Sequence, residues 1–219
     1  MDDGSTESKL LEHMEKYSKD PRVMVLKNEK NSGVAFSLNH GLKRAAELEG
    51  VKYIARMDSD DISLKERLMV QVNFMESNPE VDICGTSMLI LKQNSEPKVI
   101  AMPTVDSMIR FNMMFYCCLG HPSLMFKASK VETIIYNENE PLLEDYELWL
   151  RLCASSLRFA NIGQVLVCLR KHLDNQSTGV PIEAEIPLKM KFMSGVLNSI
   201  NPELALTIQK NPLVIEEFI

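Results

Sequence analysis

The chain has 219 residues, the length of one domain with a helical appendage, and a core at that size takes about 70% of the unfolded surface out of water. Its 45% hydrophobic and 25% charged content is that of a soluble globular protein, and a net charge of −6 argues against a general nucleic-acid binder, which needs a basic face for phosphates. Five cysteines with no CxxC pair argue against a zinc or disulfide scaffold, and no apolar run reaches the ~18 residues of a membrane-spanning helix. With no secretory signal at the start, the expected location is cytoplasmic, with peripheral attachment to a membrane left open.

Ser5 and Thr6 are placed to cap a first helix, whose apolar positions Leu10, Leu11, Met14 and Tyr17 recur at three- and four-residue steps. Pro21 stops it, and Val23–Leu26 reads as a short buried strand. After a polar loop over 28–33, Val34, Leu38, Leu42, Ala45 and Ala46 lay a stripe along a second helix, ended by Gly50. Tyr53–Met57 reads as the next strand and runs into Asp58, Asp60 and Asp61. Ser63 with Glu66 has capping-box spacing for a third helix carrying Leu64, Leu68, Val72 and Met75. This alternation predicts a parallel sheet with right-handed crossovers, in which ligands sit beyond the carboxyl ends of strands, where the aspartates fall.

The middle changes character. Val81–Leu91 and Lys98–Met102 read as strands joined by a turn at Gln93-Asn94-Ser95, an antiparallel insertion. Val105–Met113 suits a short helix and Ser123–Phe126 a strand. Pro141 precedes a helix carrying Glu144–Leu152; Phe159–Ile162 and Val165–Val167 look extended, and the tail beyond Pro181 is helical by composition.

Closely spaced carboxylates at the end of a strand are a natural seat for a hard divalent cation. A second carboxylate elsewhere, Glu144 or Asp145, then has the chemistry of a base beside that metal. Taken singly these residues have plainer readings. Asp58–Asp61 also reads as a polar loop, and Glu144 and Asp145 as first-turn charges complementing a helix dipole. His121 and His172 also read as loop residues, Asn39 as a partner for a backbone carbonyl, and Gly33 as a turn.

In order along the chain stand Asp2-Asp3-Gly4-Ser5-Thr6, Asn31–Asn39, Met57–Asp61, His121-Pro122-Ser123, Glu144–Arg151 and Leu169–His172. In these six segments the chain resembles glycosyltransferase family 2, of the GT-A fold, over about residues 2 to 178. The resemblance implies an α/β, GT-A-like, mostly parallel sheet flanked by helices, with the antiparallel insertion, and a helical extension over 181–219 after a domain over 1–180. It further implies a metal-dependent inverting hexosyl transfer from a nucleotide-sugar, of the UDP-sugar class, to a hydroxyl of an unidentified saccharide, lipid or protein. Asp2, Asp3, Gly33, Asn39, Asp58 and Asp60 are implied in donor binding. Asp58 and Asp60, the DxD element, with His172 would hold Mn²⁺ or Mg²⁺. Asp145 is the implied base beside Glu144, and His121 and Trp149 are implied on the acceptor side. In that family a β-α-β unit of roughly 30 residues precedes the Asp-Asp-Gly-Ser-Thr turn. The expectation here is therefore an N-terminally truncated domain, with an inactive binding module as the alternative.

Overall fold

The computed structural model describes residues 1–140, 142–171 and 182–200. Helix α1 (Ser8–Tyr17) and helix α2 (Val34–Ala46) precede strand β1 (Tyr53–Ala55), strand β2 (Ile62–Ser63) and helix α3 (Arg67–Ser77). Strands β3 (Ile83–Lys92) and β4 (Lys98–Ile100) form the expected hairpin, with Asn94 at φ +58° in its turn. Helix α4 (Asp106–Asn112), strand β5 (Met125–Lys127), helix α5 (Glu144–Cys153), strand β6 (Phe159–Lys171) and helix α6 (Ile186–Ile200) complete the chain. Among the described residues no helix is long and apolar enough to cross a membrane.

The fold is α/β and GT-A-like, as expected, but strand direction is mixed. The order is β1-β5-β3-β6-β2, with β4 on β3, and only the β3–β6 ladder is parallel. The reason is β5, which returns late in the chain and slots antiparallel between β1 and β3, so that the two do not pair as a simple crossover unit would. Three local expectations are also corrected. Val23–Leu26 is not a strand, because the pairing there is a single parallel bridge between Asp2 and Lys27. Ser63 is not a cap, because it belongs to β2 and pairs with Val167, and α3 starts four residues later. Ser5 and Thr6 leave α1 uncapped, its N-cap position falling at Glu7.

The sheet places the acidic loop. β1 and β2 lie at opposite ends of the strand order, so residues 56–61 cross the end of the sheet between them. Beneath this crossing the first six residues of β3 are buried, and Ile83, Leu124, Phe126, Leu148, Trp149 and Phe159 join one core. Arg67 of α3, 1% exposed, ties the crossing down. Its guanidinium donates to the carbonyls of Arg56 (2.7 Å) and Leu124 (3.3 Å) and to Gln71 Oε1 (2.9 Å). Gln71 in turn donates to Cys84 O and Ser123 O, so one pair of side chains joins β1, β3 and the lead-in to β5. Without a carboxylate partner, burial lowers the Arg67 pKa to about 10. Helix α6 packs Leu188 and Phe192 onto the same core.

Candidate active site

Arg56 acts electrostatically on two acidic groups. Its guanidinium, 12% exposed, donates to the half-buried Asp58 carboxylate. Next along the loop, Asp61 Oδ1 accepts the Arg170 backbone N–H (2.9 Å), and Arg170 Nε donates to the Asp60 carbonyl. β6 therefore clamps the loop through both backbone and side chain. Asp61 Oδ2 is buried with no hydrogen-bond partner among the described residues, and burial, with the neighbouring charges of Asp58 and Asp60, pushes the Asp61 carboxyl up.

The second group opens α5. Asp145 Oδ1 accepts the Tyr146 N–H (2.7 Å), and its side chain is 29% exposed. Burial pushes the Asp145 carboxyl above the usual range, against the pull of the Tyr146 N–H and of Arg56, while the charge of Asp58 adds to the rise. Glu144 is pushed up by burial and by Asp145, with Asp58 adding slightly and Arg56 pulling the other way. That Asp58 and Arg56 act on both carboxyls puts the two acidic clusters within electrostatic reach of each other. At this helix start, burial outweighs the dipole field that by itself would keep Asp145 ionised.

The other expected residues fall into two places. Asp3 accepts from Asn28 Nδ2 (2.8 Å), Ser32 N (2.8 Å) and Gly33 N (2.9 Å), which ties the chain start to the entry of α2. Burial raises its carboxyl, but these bonds outweigh it and the net shift is downward. Asp2 is 4% exposed, accepts from Ser5 N and lies 3.8 Å from Lys27. Gly33 precedes α2 at φ +91°, a conformation that a side chain would strain. Asn39 exchanges two hydrogen bonds with the Tyr136 peptide: Nδ2 donates to Tyr136 O (3.0 Å) and Oδ1 accepts from Tyr136 N (2.8 Å).

His121 and Trp149 do not reach the open cleft. They are 8% and 0% exposed, so the acceptor contact expected of them gives way to packing beneath Asp145. His172 lies outside the described residues.

Residues 1–125 match the family described as "Glycosyl transferase family 2". The chain belongs to that family. A bifunctional glycosyltransferase, pgtA of Dictyostelium discoideum, is 34% identical over 210 residues, covering 78% of this chain and 27% of that protein. Residues 1–349 of S. aureus TarS in complex with UDP share the fold at a TM-score of 0.60 and 19% identity, over 90% of this chain and 61% of that one. GalNAc-T7 with UDP, GalNAc and Mn²⁺ follows at 0.55 and 14%, over 79% and 37%. The chain spans about a quarter to three fifths of the length of the curated relatives it matches.

Within this family 2 chain, sequence reasoning missed Arg56, Tyr136 and Arg170. Arg56 left a signal: a cation directly after the apolar β1, two residues before Asp58, where a buried charge needs a partner. Tyr136 left none, because its partners Asn39 and His121 are distant in sequence.

The carboxylates fit a divalent cation in part. Among the described residues no three His, Cys, Asp or Glu side chains form a ready cage. Asp58 and Asp60 would offer two acidic oxygens in the same loop as Asp61, whose Oδ2 is buried with no hydrogen-bond partner among the described residues. Such a set suits Mg²⁺ or Mn²⁺ completed by phosphate oxygens of a substrate, as hard cations that keep few protein ligands require.

Proposed function

We propose that this chain transfers a sugar from a UDP-sugar to an acceptor hydroxyl by direct displacement with inversion. The observation that carries the proposal is that Asp58, paired with Arg56, lies within electrostatic reach of Asp145, on which Arg56 also acts. Support also comes from the UDP held by TarS and the UDP and Mn²⁺ held by GalNAc-T7.

Asp58 and Asp60, with His172, hold Mn²⁺ or Mg²⁺ in this reading. A cation held there would supply positive charge to stabilise the departing diphosphate. Arg56 holds Asp58 in place and balances the acidic cluster. Asp145 accepts the acceptor hydroxyl's proton as that oxygen attacks C1 from the face opposite the leaving group. One carboxylate placed as a base gives inversion, whereas retention by a covalent route needs a carboxylate placed as nucleophile. The elevated pKa of Asp145 suits the role, because a base nearer the working pH holds the proton better once it is taken.

A thermal-shift titration tests the donor half of the proposal. UDP with Mn²⁺ at about 100 times its dissociation constant is expected to stabilise the fold by ~2.7 kcal/mol, raising Tm by about 5–10 °C. A folded protein whose Tm does not move at millimolar UDP and Mn²⁺ contradicts it.

A further inference from the structure

Beneath Asp145 lies a buried polar chain that the proposed chemistry leaves without a task. His121, in a tight turn over His121–Ser123, has its Nε2 2.7 Å from the Tyr136 hydroxyl and its Nδ1 3.9 Å from Asp145 Oδ2. The imidazole packs against Trp149 and Tyr136, with ring centroids 6.0 and 5.5 Å away, and those two rings also pack against each other at 6.5 Å. Tyr136 is itself held through its peptide by the two hydrogen bonds from Asn39.

The proton positions follow from satisfying the buried Tyr136 hydroxyl. Among the described residues the Tyr136 hydroxyl has one hydrogen-bond partner, His121 Nε2. If Nε2 carried the imidazole proton, the buried tyrosine proton would have no acceptor, at a cost of about 1–3 kcal/mol. With Nε2 as acceptor the tyrosine is satisfied, and the imidazole proton moves to Nδ1, on the side of Asp145. Burial and the Arg56 charge hold the ring neutral, and burial keeps the tyrosine protonated, so both groups stay in the forms this arrangement needs.

We propose that His121 is a positioning residue for Asp145: its neutral imidazole carries the proton on Nδ1 and directs it at Asp145 Oδ2, a tautomer fixed by Tyr136 and an orientation fixed through Asn39. The role rests on the reading of Asp145 as base. Asp145 Oδ1 already accepts the Tyr146 N–H, so a second donor at Oδ2 fixes the carboxylate plane at both ends. The 3.9 Å separation is longer than a hydrogen bond, as contacts in catalytic groups often are before substrate closes the site. Glu144, Arg56, Asp58 and Cys117 are the other charged or titratable groups that act on this region. None of them is placed to set the imidazole tautomer.

Nitrogen-15 NMR of the histidine rings tests this without any substrate, with His121 assigned by its loss in His121→Gln. The wild-type protein is expected to show a neutral ring protonated on Nδ1 between pH ~6 and ~8. Tyr136→Phe, with an unchanged backbone amide spectrum, is expected to shift His121 toward the Nε2-protonated tautomer that free imidazole side chains prefer. The Asp145 carboxyl carbon in that variant is expected to titrate at higher pH than in the wild type. A wild-type ring protonated on Nε2, or an Asp145 titration that does not move in Tyr136→Phe, overturns the inference. Wild-type turnover in Asp145→Asn would instead sink the assignment of the base and leave the tautomer standing.

Discussion

Asp145→Asn is expected to lower sugar transfer by about 10²–10⁴-fold while binding of UDP is retained. The amide keeps the size of the carboxyl and can still accept the Tyr146 N–H, so the start of α5 stays in place. What it cannot do is take a proton from the acceptor hydroxyl. The same change is expected to raise Tm, and the sign follows from the direction of the pKa shift. A carboxyl that titrates higher in the folded state than in the unfolded one binds its proton more tightly when folded. Its ionised form therefore costs stability once the pH rises through the folded value, and the cost is absent below the unfolded value. At neutral pH the asparagine variant escapes that cost. Lost turnover with a higher Tm distinguishes a missing base from a damaged fold. Turnover near the wild-type rate would show that Asp145 is not the base.

Asp60→Ala is expected to abolish the gain in UDP affinity that Mn²⁺ confers, a loss of at least about 100-fold measured by isothermal titration calorimetry. Asp60 lies on the loop that β6 clamps through Arg170, and its carbonyl, rather than its carboxylate, accepts the Arg170 Nε–H. The Arg170 bonds to the Asp60 carbonyl and to Asp61 do not use that carboxylate, so this part of the clamp is kept in the variant. In wild-type protein, EDTA is expected to weaken UDP to the same level as the variant. Asp58→Ala is a less clean probe, because it also leaves the Arg56 guanidinium without its carboxylate. Unchanged Mn²⁺ dependence in Asp60→Ala would remove the metal site from the account.

The parts of this structure set by local patterns were legible in the sequence. The stripe of α2, the turn at Asn94, the short helix near 106 and the helix opening at Glu144 each follow from spacing within a dozen residues. What escaped depends on partners far along the chain. Nothing near Lys127 says that β5 will run antiparallel between β1 and β3, and that single insertion turns an expected parallel sheet into a mixed one. Ser63 has capping-box spacing, yet β6 takes it into a ladder, so tertiary pairing overrides the local signal. The acidic clusters were visible as residue types, but their electrostatic proximity was not, because it depends on residues 56–61 crossing the sheet end, far in sequence from α5. Asn39 shows the same limit: it was expected at the donor, and its amide is committed to a peptide nearly a hundred positions away.

Paramagnetic broadening by Mn²⁺ in the presence of UDP, read in the backbone amide spectrum, tests the central geometry most directly. The account predicts that sub-stoichiometric Mn²⁺ broadens the amides of residues 58–61 most strongly, and those of residues 144–146 together with them, with both effects lost in Asp60→Ala. Broadening centred elsewhere, or at residues 58–61 with the start of α5 untouched, would contradict a single cleft holding both the leaving group and the base.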